Sequence, residues 1–214
     1  MDNLMNNNIV YLTGKITGEP KYSHSVFGEG FYETHVEVER LSSQKDIIPV
    51  TVSERLLDEG GFEDGSQVSI EGQFRSYNKL IDGKSKLMLT VFVREITDDE
   101  YALNTNRIEL TGYVCKPPVF RTTPFKREIA DVLVAVNRAY NKSDYIPCIA
   151  WGRNARFAAK LEVGDKISLS GRIQSREYQK VLESGEQETR TAYEISIGRL
   201  CFAGTCSEDE EMSE

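Results

Sequence analysis

Apolar and polar side chains alternate with a period of two along residues 8–16, 32–40, 46–53, 67–77 and 86–96. That is the period of a β-strand with one packed face and one open face, because successive side chains point to opposite sides. The pattern returns further along the chain. There the third strand is followed by Arg153-Asn-Ala-Arg-Phe-Ala-Ala-Lys-Leu161, a run of good helix formers stopped by Gly164. Each half of the chain is read as five strands with one short helix between the third and the fourth.

The recurrence is an internal repeat. Shifted by 98 positions, residues 8–55 fall on 106–153 without a gap, and 13 of the 48 pairs are identical. Unrelated sequences of average composition would share roughly three. Asn8-x3-Leu12-Thr13-Gly14 repeats as Asn106-x3-Leu110-Thr111-Gly112, Val36-x-Val38-x-Arg40 as Val134-x-Val136-x-Arg138, and Asp46-x-Ile48-Pro49 as Asp144-x-Ile146-Pro147. After one inserted residue, Gly65, Ser69, Gly72 and Ser76 match Gly164, Ser168, Gly171 and Ser175. The strand order is that of the OB-fold, a barrel that binds oligonucleotides in many settings. The expected class is all-β: two tandem OB-fold (five-stranded Greek-key) barrels, each with one short helix. The expected domains are residues 1–97, a divergent barrel; 98–105, a linker; 106–203, the second barrel; and 204–214, an acidic tail.

Parity then sorts each strand into a core face and an open face. In the third strand, Ile48, Val50 and Val52 of the first copy and Ile146, Cys148 and Ala150 of the second form a shared apolar face. The opposite face carries Ile47, Pro49, Thr51 and Ser53 in one copy and Tyr145, Pro147, Ile149 and Trp151 in the other. Where Thr and Ser stand, water is expected, so the aromatics of the second copy are expected in the open. Exposed large aromatics mark interaction sites. In the fourth strand Arg172, Gln174, Arg176 and Tyr178 are expected on the open side. Glu33, Glu37 and Glu39 line the second strand of the first copy, where they would repel a phosphate backbone.

Charge sharpens the asymmetry. The net charge is −8, which by itself argues against a polyanionic partner. Residues 8–97, however, carry 10 Lys/Arg against 14 Asp/Glu, while residues 106–203 carry 16 against 11. A basic domain is masked by an acidic one and by an acidic tail. Four cysteines, one pair of them spaced Cys201-x4-Cys206, are too few for a disulfide scaffold and lack the partners of a zinc site. They are read as reduced apolar fillers in a cytosolic protein. No apolar run approaches the roughly 18 residues of a membrane span, and no secretory signal stands at the start. No cofactor and no metal are implied. No nucleophile elbow, phosphate loop or paired histidine suggests an enzyme.

Single-stranded nucleic acid presents unpaired bases and a line of phosphates, so a matching groove interleaves aromatic platforms with cations. The second copy supplies Tyr140, Tyr145, Trp151 and Tyr178 as platforms, with Arg138, Lys142, Arg153, Arg172, Arg176 and Lys180 beside them. These ten residues are the candidate nucleic-acid-binding set. The strings Asn106-x3-Leu110-x-Gly112, Ala135-Val136-Asn137-Arg138, Asp144-Tyr145-x5-Trp151-Gly152-Arg153 and Gly171-Arg172-x2-Ser175-Arg176-x-Tyr178 resemble the bacterial single-stranded DNA-binding protein family. The resemblance implies base stacking at Tyr140, Tyr145, Trp151 and Tyr178. The first copy looks like the same fold with these replaced by Ser42, Ile47, Ser53 and Lys79. It further implies single-stranded DNA as partner, a homodimer bringing four OB-folds together, replication or repair proteins as further partners, no membrane, and a cytoplasmic, nucleoid-associated location. The family's long linker and apolar tail tip are absent. A competing expectation is an assembly factor, akin to a primosome accessory, with Tyr145 and Trp151 in a subunit interface.

Overall fold

The structure is a computed structural model of the chain, and residues 6–81, 83–97, 104–181, 185 and 187–205 are described. Residues 98–103 of the expected linker and 206–214 of the acidic tail lie outside the described residues. Two compact units are found. The first takes in Ile9–Ile108 and Arg172–Ile195; the second takes in the described parts of Met1–Asn8, Glu109–Gly171 and Ser196–Glu214.

In the first unit run β1 (Asn8–Val26), β2 (Glu29–Glu39), β3 (Lys45–Ser53), α1 (Glu54–Asp58), β4 (Gln67–Ile81) and β5 (Lys84–Ile96). The strand order is β2-β3-β5-β4-β1, and β1 pairs again with β2, closing a five-stranded barrel. The β3–β5 pairing is parallel, with Val50 opposite Val91. In the second unit β6 (Asn106–Val114), β7 (Val119–Thr122), β8 (Glu128–Asn137), β9 (Ser143–Trp151) and α2 (Gly152–Ala158) are joined by the first part of β10 (Lys166–Val181) and the last part of β11 (Gln187–Phe202). Their order is β6-β10-β11-β9-β8, closed by a β6–β8 pairing, with β7 added outside β8. The all-β class, two OB-fold barrels with one short helix each, is borne out.

The repeated residues explain the repeated fold. Thr13 and Ser69 share a buried hydroxyl hydrogen bond of 3.0 Å, and Thr111 and Ser168 share its twin at 2.9 Å. A Cβ on Gly14 would meet the Glu37 carbonyl oxygen at 2.3 Å, and one on Gly112 the Ala135 carbonyl oxygen at 2.6 Å. Only glycine lets those strands cross so closely. The cores are the apolar faces read from parity: Val10, Leu12, Val36, Ile48, Val50 and Ile70 in the first unit, and Val134, Val136, Ile146, Ala150 and Ile167 in the second, all buried.

Several expectations are corrected. The second copy gains a short extra strand, β7, because Pro117 and Pro118 offer no N–H to continue the ladder from β6, whereas β1 runs on to Val26. The helix expected over 153–161 ends at Ala158; i→i+3 bonds from Lys160 to Phe157 and from Leu161 to Ala158 tighten its exit. Thr51 and Ser53 are buried rather than wet. The Thr51 hydroxyl has a partner in Thr90 at 2.9 Å, so burial leaves it satisfied. Gln174, expected on the open face, is likewise buried and donates to Glu194 at 2.8 Å. Cys115 and Cys148 are free thiols, but Cys201 is disulfide-bonded and not a reduced filler.

Candidate nucleic-acid interface

β9 positions two of the four platforms. Tyr145 and Trp151 sit on its outward parity, 46% and 39% exposed, with the buried Ile149 between them. Trp151 is the last strand residue, with extended backbone, and Gly152 follows in the left-handed region at φ +51. That reversal starts α2 directly after the indole and gives a reason for the Trp-Gly pair. Tyr140 stands in a tight turn, Ala139–Asn141, where it and Asn141 both take the left-handed region at φ +60 and φ +54, and it is almost wholly exposed. Lys142 and Arg153 are exposed. Arg138 is occupied: its Nε lies 3.2 Å from the fully buried carboxylate of Asp144.

The other four residues of the set lie on the distal half of β10, within the first unit. Arg172 approaches Asp46 at 3.4 Å; burial, and then the neighbouring Arg40, hold its pKa below that of a free arginine. Arg176 is 3.7 Å from Glu194, and its guanidinium lies 5.9 Å from the ring centroid of Tyr178. Tyr178 is 39% exposed and has Arg190 at its hydroxyl. Lys180 is exposed. The ten residues therefore divide six and four between the units.

In the first unit the positions matching the platforms hold an exposed Ser42, a half-buried Ile47, a buried Ser53 and an exposed Lys79. Aromatics occur there, but they are differently placed. Phe31 packs on Phe92, and Arg75 covers the Phe92 ring at 3.8 Å. Glu33 accepts from Ser23 at 2.7 Å and from Tyr77 at 3.2 Å. Burial first, then Glu33, pushes the Tyr77 phenol up to about 12. Among the described residues no group of three His, Cys, Asp or Glu could hold a metal ion.

Sequence reasoning missed two features. Arg190 reaches Tyr178 from β11. Trp151 also lines an open depression with Thr122, Lys126, Arg127, Glu128 and Gly152. The signal for the second was the basic run around Phe125-Lys126-Arg127 in the β7–β8 turn, which strand parity does not rank.

Comparison with known proteins meets this geometry. Residues 105–202 match the Single-strand binding protein family. Over 81 residues the chain is 36% identical to single-stranded DNA-binding protein 2 of Listeria innocua and 35% identical to single-stranded DNA-binding protein A of Bacillus subtilis. Each match takes in 35% of this chain, and 51% and 47% of those proteins. The chain thus spans about half the length of the curated relatives it matches. The crystal structure of the wild-type single-stranded DNA binding protein from Thermus aquaticus is similar over 91% of this chain and 92% of that one, with a TM-score of 0.69 at 21% identity. A deletion mutant of the same protein gives 0.68 at 19% identity, over 95% and 98%. At that identity the likeness shows the fold. The family resemblance read from the second repeat is borne out.

Proposed function

We propose that this chain, whose second repeat carries the pattern of the single-strand binding protein family, binds single-stranded DNA largely without regard to sequence and shields it during replication, recombination or repair. The observation that carries the proposal is the placement of Tyr145 and Trp151, two exposed aromatics on one strand, in a unit with exposed cations around them. Stacking needs only a π-face, which every base has, so affinity follows from length and salt rather than from sequence. Tyr140 and Tyr178 are the remaining platforms. Lys142, Arg153, Arg176 and Lys180 contact phosphates, while Arg138 and Arg172 act chiefly by holding the chain beside them. The function is binding, not turnover.

Residues 106–203 carry the binding, and residues 8–97, acidic along β2, serve mainly in assembly. With two barrels per chain, a homodimer brings four together. The site of action is the cytoplasmic nucleoid, and replication or repair proteins are the further partners. Trp151 is the single tryptophan, so its emission reports on one platform without a label. Titration with a thymine oligonucleotide at low salt quenches it, and added salt restores it. Unchanged emission together with unchanged oligonucleotide anisotropy would overturn the proposal.

A further inference from the structure

Most arginines near the candidate platforms are already compensated. In the second unit Arg138 faces Asp144 at 3.2 Å, Arg121 faces Asp131 at 3.0 Å, and Arg156 faces Glu128 at 3.2 Å. A cation that already has a buried or close carboxylate releases few counterions on meeting a phosphate. Lys126 and Arg127 differ. Both are exposed, and among the described residues neither side chain has an ion pair. Glu128, the nearest acid along the chain, is taken by Arg156. The two free charges stand in the β7–β8 turn and line the depression that Trp151 also lines.

The turn is well built. The Lys126 N–H donates to the Thr123 carbonyl at 2.8 Å, the Thr123 N–H to the Arg127 carbonyl at 2.8 Å, and the Arg127 N–H to Thr123 Oγ1 at 3.0 Å. β7 and β8 hold it in register, with Thr122 opposite Glu128, and Trp151 of β9 stands opposite Ile129. At the tip, Phe125 is 87% exposed. Its position in the repeat is Phe27, also at a hairpin tip and fully exposed. A phenylalanine in water at the same place in both copies contributes nothing to either core. In the first copy the neighbours are Gly28 and Glu29, where the second has Lys126 and Arg127.

We infer that the β7–β8 hairpin is a further nucleic-acid contact: Phe125 stacks on an unpaired base, and Lys126 and Arg127 hold the phosphates flanking the base on Trp151. The inference deepens the proposed function and rests on it. It extends the single-strand path past the end of β9, to residues outside the candidate set.

The test uses the full chain. Lys126 has φ +60, so Lys126→Gly removes its charge without straining the turn, and it is combined with Arg127→Gln. Thermal unfolding shows that each variant folds. With a thymine oligonucleotide, the double variant lowers the steepness of log K against log salt by about 1.4, at about 0.7 per phosphate on a single strand. Phe125→Ala weakens binding by roughly 5- to 150-fold, the equivalent of one stacked base, and leaves the salt slope unchanged. If the wild type binds and quenches Trp151 while all these variants bind identically, the hairpin has no part in binding and the inference falls alone. A change confined to self-association, with DNA affinity intact, would also overturn it by making the tip a protein contact. If the wild type fails to bind, the proposed function falls and takes this inference with it.

Discussion

The backbone N–H of Ser175 donates to the carboxylate of Asp46 at 2.7 Å, across 129 positions of sequence. Asp46 is buried and also receives Arg40 through Nε at 2.6 Å and Nη2 at 2.5 Å, while Arg172 stands off at 3.4 Å. Bidentate pairing to Asp46 raises the Arg40 pKa further. Removing one partner of a buried pair leaves the other desolvated and uncompensated, at about 3–5 kcal/mol. Asp46→Ala is therefore expected to lower unfolding free energy by about 3 kcal/mol. Arg172→Gln, at a long distance and half in solvent, should cost less than about 1 kcal/mol. Urea unfolding checks both; equal losses would contradict the geometry.

A close backbone crossing gives the next expectation. A Cβ on Gly171 would stand 2.2 Å from the Ser196 carbonyl oxygen, a contact backbone cannot relieve by rotating a side chain. Gly164 has φ +98 and nothing within 4 Å of such a Cβ. Gly171→Ala should cost about 3 kcal/mol, the upper end of overpacking. Gly164→Ala should cost about 1–2 kcal/mol from the left-handed backbone alone. Chemical denaturation ranks the two, and a smaller loss at Gly171 would show that β10 and β11 are not held so close.

These positions also show what the sequence could reveal. Gly14, Gly112, Thr13, Ser69, Thr111 and Ser168 declared themselves by recurring, because both barrels need the same crossings and the same hydroxyl pair. Parity found the core, since Ile48, Val50 and Val52 must all face inward. It failed on the outer face, where Thr51 and Gln174 are buried by neighbours far along the chain. It also could not tell a compensated cation from a free one. Arg138 and Lys126 look alike as letters; the difference is Asp144, which itself recurs as the partner of a repeated arginine.

His35 makes stability depend on pH. Partial desolvation of this still exposed side chain, opposed by Glu33 and aided by Lys21, holds its pKa below the ordinary 6.5. The unfolded chain then binds a proton that the folded chain does not, so stability falls as pH drops below about 6.5 and levels off below the folded pKa. Thermal unfolding across that range should show the decline, and His35→Gln should flatten it. Only two histidines are present, so their imidazole proton signals separate the sites; a His35 titrating at or above the ordinary value would refute the assignment.

Charge compensation separates the arginines from the platforms in binding experiments. Trp151 and Tyr178 carry no charge, so Trp151→Ala and Tyr178→Ala should each weaken binding to a thymine oligonucleotide by about 1–3 kcal/mol with the salt slope unaltered. Lys142 is exposed beside Tyr140, and Lys142→Gln should reduce the steepness of the slope by about 0.7. Arg138 faces the buried Asp144 at 3.2 Å, so Arg138→Gln should leave the slope nearly unchanged and appear instead as lost stability, because it strands a buried carboxylate. Isothermal titration at several salt concentrations, paired with urea unfolding of each variant, resolves the two effects. A slope change at Arg138 as large as that at Lys142 would mean that its guanidinium leaves Asp144 for a phosphate.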